Sequence, residues 1–332
     1  MNILVLGCGS IGKRHIKNLI KIGFDPKKIT GFDPRLDRLD EVKKLGIKTT
    51  SLSLKKLLKE EKFYASIVCS PTNLHIKQGI LLAKNKVHIL MEKPLCNNLS
   101  GSKEFEKILI KNKVFFMIAY IFRFNPMIEK IKSLLKNKSI GNILYVRGEF
   151  SEYLPDWHPW ENYRHFYMAK KSMGGGSILD QSHLFDIMHF IFGDFKEVIG
   201  INSKISKLQV KADDIAELII KFKSGLIASL HTDMFGRKHR KDFEIKGETG
   251  NILCDFYTQK VSLYKSKNKK MKVFKNFFKD PNTIYIKELK HFFSCIKKKK
   301  KSIATFQDSI KTMELILAAC KSEKRKKQVR VQ

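Results

Sequence analysis

The sequence predicts an α/β protein in two domains: a doubly wound parallel sheet with helices on both faces over residues 1–121, then an antiparallel sheet with one covered face over residues 122–332. Three observations carry this. Short apolar runs alternate with amphipathic stretches through the first 120 residues, the pattern of repeated strand–helix crossovers. A turn, Gly7-Cys8-Gly9-Ser10-Ile11-Gly12, separates the first apolar run from the first helical stretch. Beyond Phe122 the runs lengthen and alternate apolar with polar residues, as strands do when one face meets water.

In the first domain the expected strands are 3–6, 29–32, 65–69, 88–91 and 114–118, with helices at 11–21, 37–45, 54–59, 74–84 and 101–111. Thr72 or Asn73 can cap the fourth helix, and residues 97–100 offer a capping cluster for the fifth. In the second, a helix at 125–135 leads into strands at 143–150, 198–205, 214–222, 225–232, 241–246, 251–255 and 260–264. One apolar helix, 178–192, interrupts them, and two more, 283–297 and 305–321, follow.

A chain of 332 residues with 43% hydrophobic content can bury two cores of ordinary size. Six cysteines stand apart, with no C-x-x-C pair and no histidine at zinc-ligand spacing, so no metal is expected and the thiols read as reduced. The first apolar run is too short for a secretion signal, and no run reaches the ~18 residues of a membrane span. A soluble, cytoplasmic protein is expected. The net charge of +33 invites a nucleic-acid partner, but the lysines are spread over nearly every expected helix, and only 297–301 and the tail from 321 to 330 are dense. No nucleic-acid motif accompanies them, and the charge reads as solvated surface. The tail is expected to be exposed.

The glycine turn suits a dinucleotide pyrophosphate. Gly7 permits the tight turn, Gly9 keeps side chains away from the phosphates, and Gly12 lets the helix pack close to the sheet. The amides of Ser10 and Ile11 open that helix toward negative charge. Asp33 ends the second apolar run, about 20 residues on, where a carboxylate accepts hydrogen bonds from ribose hydroxyls and repels a 2′-phosphate. NAD is the cofactor expected. Arg35 leaves NADP open, since a guanidinium there can pair with a 2′-phosphate or lie over adenine.

Two clusters can move protons. Glu92-Lys93-Pro94 ends an expected strand at the sheet edge where open parallel sheets place ligands, and Lys93 there can donate to a substrate oxygen. Gly174-Gly175-Gly176 leads into a helix carrying Asp180 and His183 on one face, a carboxylate beside an imidazole that titrates near neutral pH. Asp186, one turn on, can orient His183 or cap backbone.

Together the glycine turn, Ser70-Pro71-Thr72-Asn73-Leu74-His75, Glu92-Lys93-Pro94, Arg123-Phe124-Asn125-Pro126 and the glycine-led helix resemble the Gfo/Idh/MocA family of oxidoreductases, in family order and over essentially the whole chain. The resemblance implies an N-terminal Rossmann domain and a C-terminal α/β domain with an open, mostly antiparallel sheet, one face of which forms a homodimer or homotetramer interface. It also implies hydride transfer between the nicotinamide and a hydroxyl-bearing carbon of a sugar, polyol or sugar nucleotide, across an interdomain cleft. In that scheme Lys93 and His183 handle the proton and Asp180 lies near the substrate. Ser70, Pro71, Asn73, His75 and Glu92 line the nicotinamide side, and Arg123 faces the substrate. The commoner family pattern separates the aspartate and histidine by four steps, and this chain by three. The segment 153–164 resembles one in relatives linked to bacterial surface-sugar synthesis. Its Trp157 and Trp160 can stack on a sugar or pack beneath the sheet, and His158 and Arg164 can meet a carboxylate or phosphate. Two rivals stand beside the enzyme: an NAD-binding regulator without turnover, and a basic nucleic-acid-binding protein using the first domain as scaffold.

Overall fold

The computed structural model describes residues 1–157, 159 and 161–332. The chain divides into two compact units, Met1–Ile121 with Asn282–Ile310, and Phe122–Pro281 with Lys311–Gln332. The expected assignment of all of 122–332 to one domain therefore differs in one respect: residues 282–310 pack with the first unit.

In the first unit strands β1 (Ile3–Leu6), β2 (Ile29–Phe32), β3 (Lys48–Thr50), β4 (Ala65–Val68), β5 (His88–Met91) and β6 (Phe116–Ile118) alternate with helices α1 (Ser10–Lys21), α2 (Leu36–Lys43), α3 (Leu54–Glu60), α4 (His75–Lys84) and α5 (Ser102–Lys111). The strands form one sheet in the order β3-β2-β1-β4-β5-β6, and every pairing is parallel. β1 and β4 bury every residue, as strands covered on both faces must. The strand order reverses between β1 and β4, so the loops after their carboxyl ends border the crevice where such sheets take ligands.

The second unit begins with α6 (Pro126–Lys136), capped by the Asn125 side chain, and β7 (Ile143–Tyr153). Short helices α7 (Ser177–Asp180) and α8 (Ser182–Phe192) precede β8 (Phe195–Ser203), β9 (Ile215–Phe222), β10 (Ile227–Asp233), β11 (Phe235–Gly247), β12 (Gly250–Asp255), β13 (Lys260–Lys265) and β14 (Lys270–Phe274). Helices α9 (Asn282–Lys298) and α10 (Phe306–Arg325) and the strand β15 (Val329–Arg330) complete the chain. A nine-stranded sheet runs β14-β13-β12-β11-β7-β10-β9-β8-β15. It is mixed, because β7 and β10 pair in parallel while the other neighbours are antiparallel. On β9, Ala216, Leu218, Ile220 and Phe222 are buried, whereas Ile219 between them is 54% exposed, so one face is covered and the other open.

Three expectations change here. The apolar stretch 178–192 is two helices, broken at Gln181, whose backbone sits at φ −84° and ψ 21°. The edge strands β3 and β14 were not foreseen. The basic side chains of 321–330 are exposed, as expected, but the end of the tail is tied down: Val329 is buried, β15 pairs with β8, and the Val331 amide donates to the Lys196 carbonyl at 2.9 Å. Among the described residues no helix is long and apolar enough to cross a membrane.

Candidate active site

The glycine turn leaves β1 with Gly7 at φ +90°, a conformation side chains rarely adopt, and a Cβ there would lie 2.5 Å from the Cys69 carbonyl oxygen. At Gly12 a Cβ would lie 1.9 Å from the Gly7 carbonyl oxygen, so only glycine lets α1 start this close to the sheet. No side chain caps the N-terminus of α1. Its amide dipoles therefore face outward toward an anion. Asp33 is held behind the turn: Oδ2 accepts from the Cys8 amide at 2.8 Å and Oδ1 from the Arg35 amide at 2.9 Å. Each oxygen keeps a lone pair for a ribose hydroxyl. These features fit a dinucleotide. The Arg35 guanidinium is turned to Asp37, 2.6 Å away. A cation beside the turn that the sequence reading missed is Arg38, whose Nη1 would stand 3.1 Å from a Cβ at Gly9. Its place on α2, one helical turn past Arg35, was the available signal.

The loops after β4 and β5 are tied together from below. His75, the first residue of α4 and 1% exposed, places Nδ1 2.9 Å from the Pro94 carbonyl oxygen and Nε2 2.9 Å from the Ser70 carbonyl oxygen. Its ring is thus committed to two loops, which corrects the expectation that it lines the cofactor. Ser70 Oγ donates to Gln78 Oε1 at 2.5 Å, Asn73 is exposed, and Pro71 precedes a single 3₁₀ turn at Thr72–Leu74. Glu92 receives His15 Nε2 on Oε1 at 2.8 Å and the Lys93 amide on Oε2 at 3.3 Å. The Lys93–Pro94 peptide is cis, and Lys93 is half-buried.

Glu288 on α9 is fully buried, and neither carboxyl oxygen has a hydrogen-bond partner among the described residues. Burial, and then the charge of Glu92, push its carboxyl well above the ordinary value of 4.5. The folded protein therefore holds this proton while the unfolded chain releases it. Stability is intact below the unfolded value and falls as pH rises above it toward the raised value. Glu288→Gln is expected to raise the melting temperature near neutral pH and to change it little below pH about 4. An unchanged difference between variant and parent across that range would count against a protonated Glu288.

In the second unit the triple glycine serves the chain itself. Gly176 sits at φ +124°, and a Cβ on it would lie 2.2 Å from Asp213 Oδ1. The Ser177 amide donates to the Asp213 carbonyl at 3.0 Å and the Ile178 amide to Asp213 Oδ2 at 2.9 Å, which pins the start of α7. Asp180, 7% exposed, accepts from the Tyr167 hydroxyl at 3.1 Å. His183, in the first turn of α8, meets the Phe122 ring edge-on at 5.1 Å. Asp180 and His183 thus stand on either side of the Gln181 break rather than on one helix.

Arg123 overturns its expected role. Its Nε donates to both Asp186 oxygens, at 3.1 and 3.0 Å, and Nη2 to Oδ1 at 2.6 Å, with the side chains only 2% and 1% exposed. A guanidinium sealed against a carboxylate holds α8 and does not face a substrate. Asp186 is accordingly the partner of Arg123.

The first 120 residues match the family model described as an oxidoreductase family, NAD-binding Rossmann fold, and residues 132–331 match its C-terminal alpha/beta domain. This chain belongs to the Gfo/Idh/MocA oxidoreductase family. Among its relatives is the myo-inositol 2-dehydrogenase of Thermotoga maritima, 29% identical over 100% of this chain and 99% of that protein. Another is the scyllo-inositol 2-dehydrogenase (NAD(+)) of Bacillus subtilis, 27% identical over 96% and 92%. A solved probable dehydrogenase from Thermotoga maritima superposes with a TM-score of 0.79 at 26% identity, over 100% and 99%.

The aromatic segment falls within the second unit. Trp157 is partly buried against the apolar cluster of Leu154, Phe166, Met168 and Met234, so it packs within the unit. Trp160 and His158 lie outside the described residues. Arg164 is exposed, its guanidinium carbon 5.6 Å from the Tyr163 ring centre. Beside the Gln181 break stands a polar group unforeseen from sequence. Glu152 pairs with Lys241 Nζ at 2.7 Å and accepts from Gln181 Nε2 at 3.2 Å and from the Tyr257 hydroxyl. Burial works to raise its carboxyl, but the Lys241 charge and these hydrogen bonds bring it below the usual carboxylate range. Among the described residues no group of three or more metal-binding side chains occurs.

Proposed function

We propose that this Gfo/Idh/MocA oxidoreductase is an NAD-dependent dehydrogenase of a polyol, sugar or sugar nucleotide, and that Lys93 and His183 handle the substrate proton. The observation that carries it is the set of loops along one sheet edge: the glycine turn, the Asp33 carboxylate held behind it and the anchored Lys93. Full-length similarity to two inositol dehydrogenases supports the polyol class. The bound dinucleotide supplies the hydride acceptor. The α1 amides meet its pyrophosphate, Asp33 accepts from its ribose hydroxyls, and Arg38 adds positive charge beside the turn. Lys93 Nζ donates to the substrate oxygen that loses its proton, and His183 Nε2 takes that proton. Asp180, kept in orientation by Tyr167, accepts from a neighbouring hydroxyl.

The cysteines are all free thiols, which supports a reducing, cytoplasmic setting. On the open face of the second sheet, Ile199 and Ile219 are register partners, 42% and 54% exposed. That apolar row supports a homo-oligomer, and sedimentation velocity reads it directly.

The reading is tested by fluorescence titration with NADH and NADPH, followed by NAD reduction assays over inositols, free sugars and sugar nucleotides. NADH is expected to bind more tightly, because the Asp33 carboxylate repels a 2′-phosphate. Equal or tighter binding of NADPH would hand the selection to Arg38, and absence of binding to both would end the reading.

A further inference from the structure

We propose that His15 and His75 are positioning residues that fix Lys93 by anchoring the residues on either side of it. Lys93 itself belongs to a loop, whereas both histidines belong to helices. Glu92 is anchored to His15 of α1 at 2.8 Å, and its amide donates to the Val68 carbonyl at 2.8 Å. The Pro94 carbonyl oxygen is anchored to His75 of α4 at 2.9 Å. The backbone that presents the lysine is therefore held at both flanks by rings 0% and 1% exposed.

Neither ring is explained by packing alone. Burying an imidazole costs free energy that an apolar side chain would not. His75 also opens a helix, where the dipole opposes a cation, and burial lowers its pKa against the pull of the two carbonyls. A neutral ring serves as a hydrogen-bonding strut, with one N–H for two carbonyl oxygens. The clamp places that N–H on Nδ1, donating to the Pro94 carbonyl oxygen, which is the contact that bears on Lys93. A group held this way by its surroundings reaches productive geometry without search, which is what a proton-transfer residue needs.

This inference rests on the proposed role of Lys93 at the substrate oxygen, which sets it beside the nicotinamide that takes the hydride from the neighbouring carbon. The test is acylation of Lys93 by acetic anhydride, followed by peptide mass spectrometry, with and without NADH at a concentration that titration shows to be saturating for each variant. In the parent protein NADH is expected to shield Lys93. His75→Asn sets an amide nitrogen where Nδ1 stands and should keep the shielding. His75→Gln sets it where Nε2 stands and, like His75→Leu, should lose it. His15→Gln, which can still reach Glu92, should keep it, and His15→Leu should lose it.

Retained shielding in both leucine variants, or equal shielding in His75→Asn and His75→Gln, would overturn the clamp while leaving the function standing. An unshielded Lys93 in the parent would remove the lysine's proposed role and the clamp with it. If a leucine variant fails to fold, the comparison of Asn with Gln at position 75 decides.

Discussion

Replacing Lys93 with Met, or His183 with Asn, is expected to cost about 10² to 10⁴ in turnover, the usual worth of a positioned acid or base. NADH affinity should change far less. Neither residue lies in the glycine turn or beside Asp33, which carry the pyrophosphate and ribose contacts. The lost interaction is one made with the moving proton, so the loss belongs in kcat and in kcat/KM together. Asp180→Asn should cost less, or raise KM, because that carboxylate is already engaged by the Tyr167 hydroxyl at 3.1 Å. Steady-state rates with the substrate found by screening, set beside NADH titrations, check each part. Near-parental turnover in both Lys93→Met and His183→Asn would mean the proton travels elsewhere, and the assignment of roles would fall even with the fold intact.

The second large effect is on stability. Arg123→Leu is expected to cost about 3–5 kcal/mol, because it takes from the buried Asp186 carboxylate the guanidinium that donates to both of its oxygens. Asp186→Asn should be comparably harmful, since it leaves the guanidinium sealed in the same place. Replacing both, Arg123→Met with Asp186→Leu, should recover most of the loss, since neither charge is then left alone. Urea unfolding followed by tryptophan fluorescence measures all three. A single variant within about 1 kcal/mol of the parent, the range of exposed pairs, would contradict the buried pairing. A substrate-facing Arg123 would instead show itself as a raised KM in a protein of normal stability.

What was readable in the chain follows from how local the cause is. The glycine turn, Asp33 and the β1–α1 order are set within some thirty residues by backbone sterics and a single charge, and they stand where the pattern put them. The edge strand β3 escaped because Lys48-Thr49-Thr50 gives no apolar alternation, and β14 because its short Lys-Met-Lys-Val alternation buries no residue and is drowned in the surrounding lysines. The parallel β7–β10 pairing escaped because it joins strands distant in sequence. The break at Gln181 lies inside an apolar stretch, and its causes, Asp213 and Tyr167, are tertiary. His15 and Glu288 carried a signal that was not used. His15 sits four residues from Leu19, and Glu288 midway between Ile284 and Phe292, so each is a polar residue on a buried helical stripe. A polar group in such a position needs a partner or a proton, and both lie by Glu92. Arg123 misled because a family position and a basic side chain suggest a ligand, whereas its counter-charge lies 63 residues on.

The joint at Gln181 bears on how such a site can drift between lineages. In an unbroken α-helix, deleting one residue turns everything beyond it by about 100°, so an imidazole moved from four steps to three past a carboxylate stays on the same face but swings to its other flank. Here Asp180 closes one short helix, pinned through Asp213 and Tyr167, and His183 opens another, set against Phe122. A residue gained or lost at the joint is taken up in its backbone torsions, and each group keeps its own supports. The three steps between Asp180 and His183 run across that joint. A one-residue change of length at this point should therefore cost less stability than the same change elsewhere in either helix.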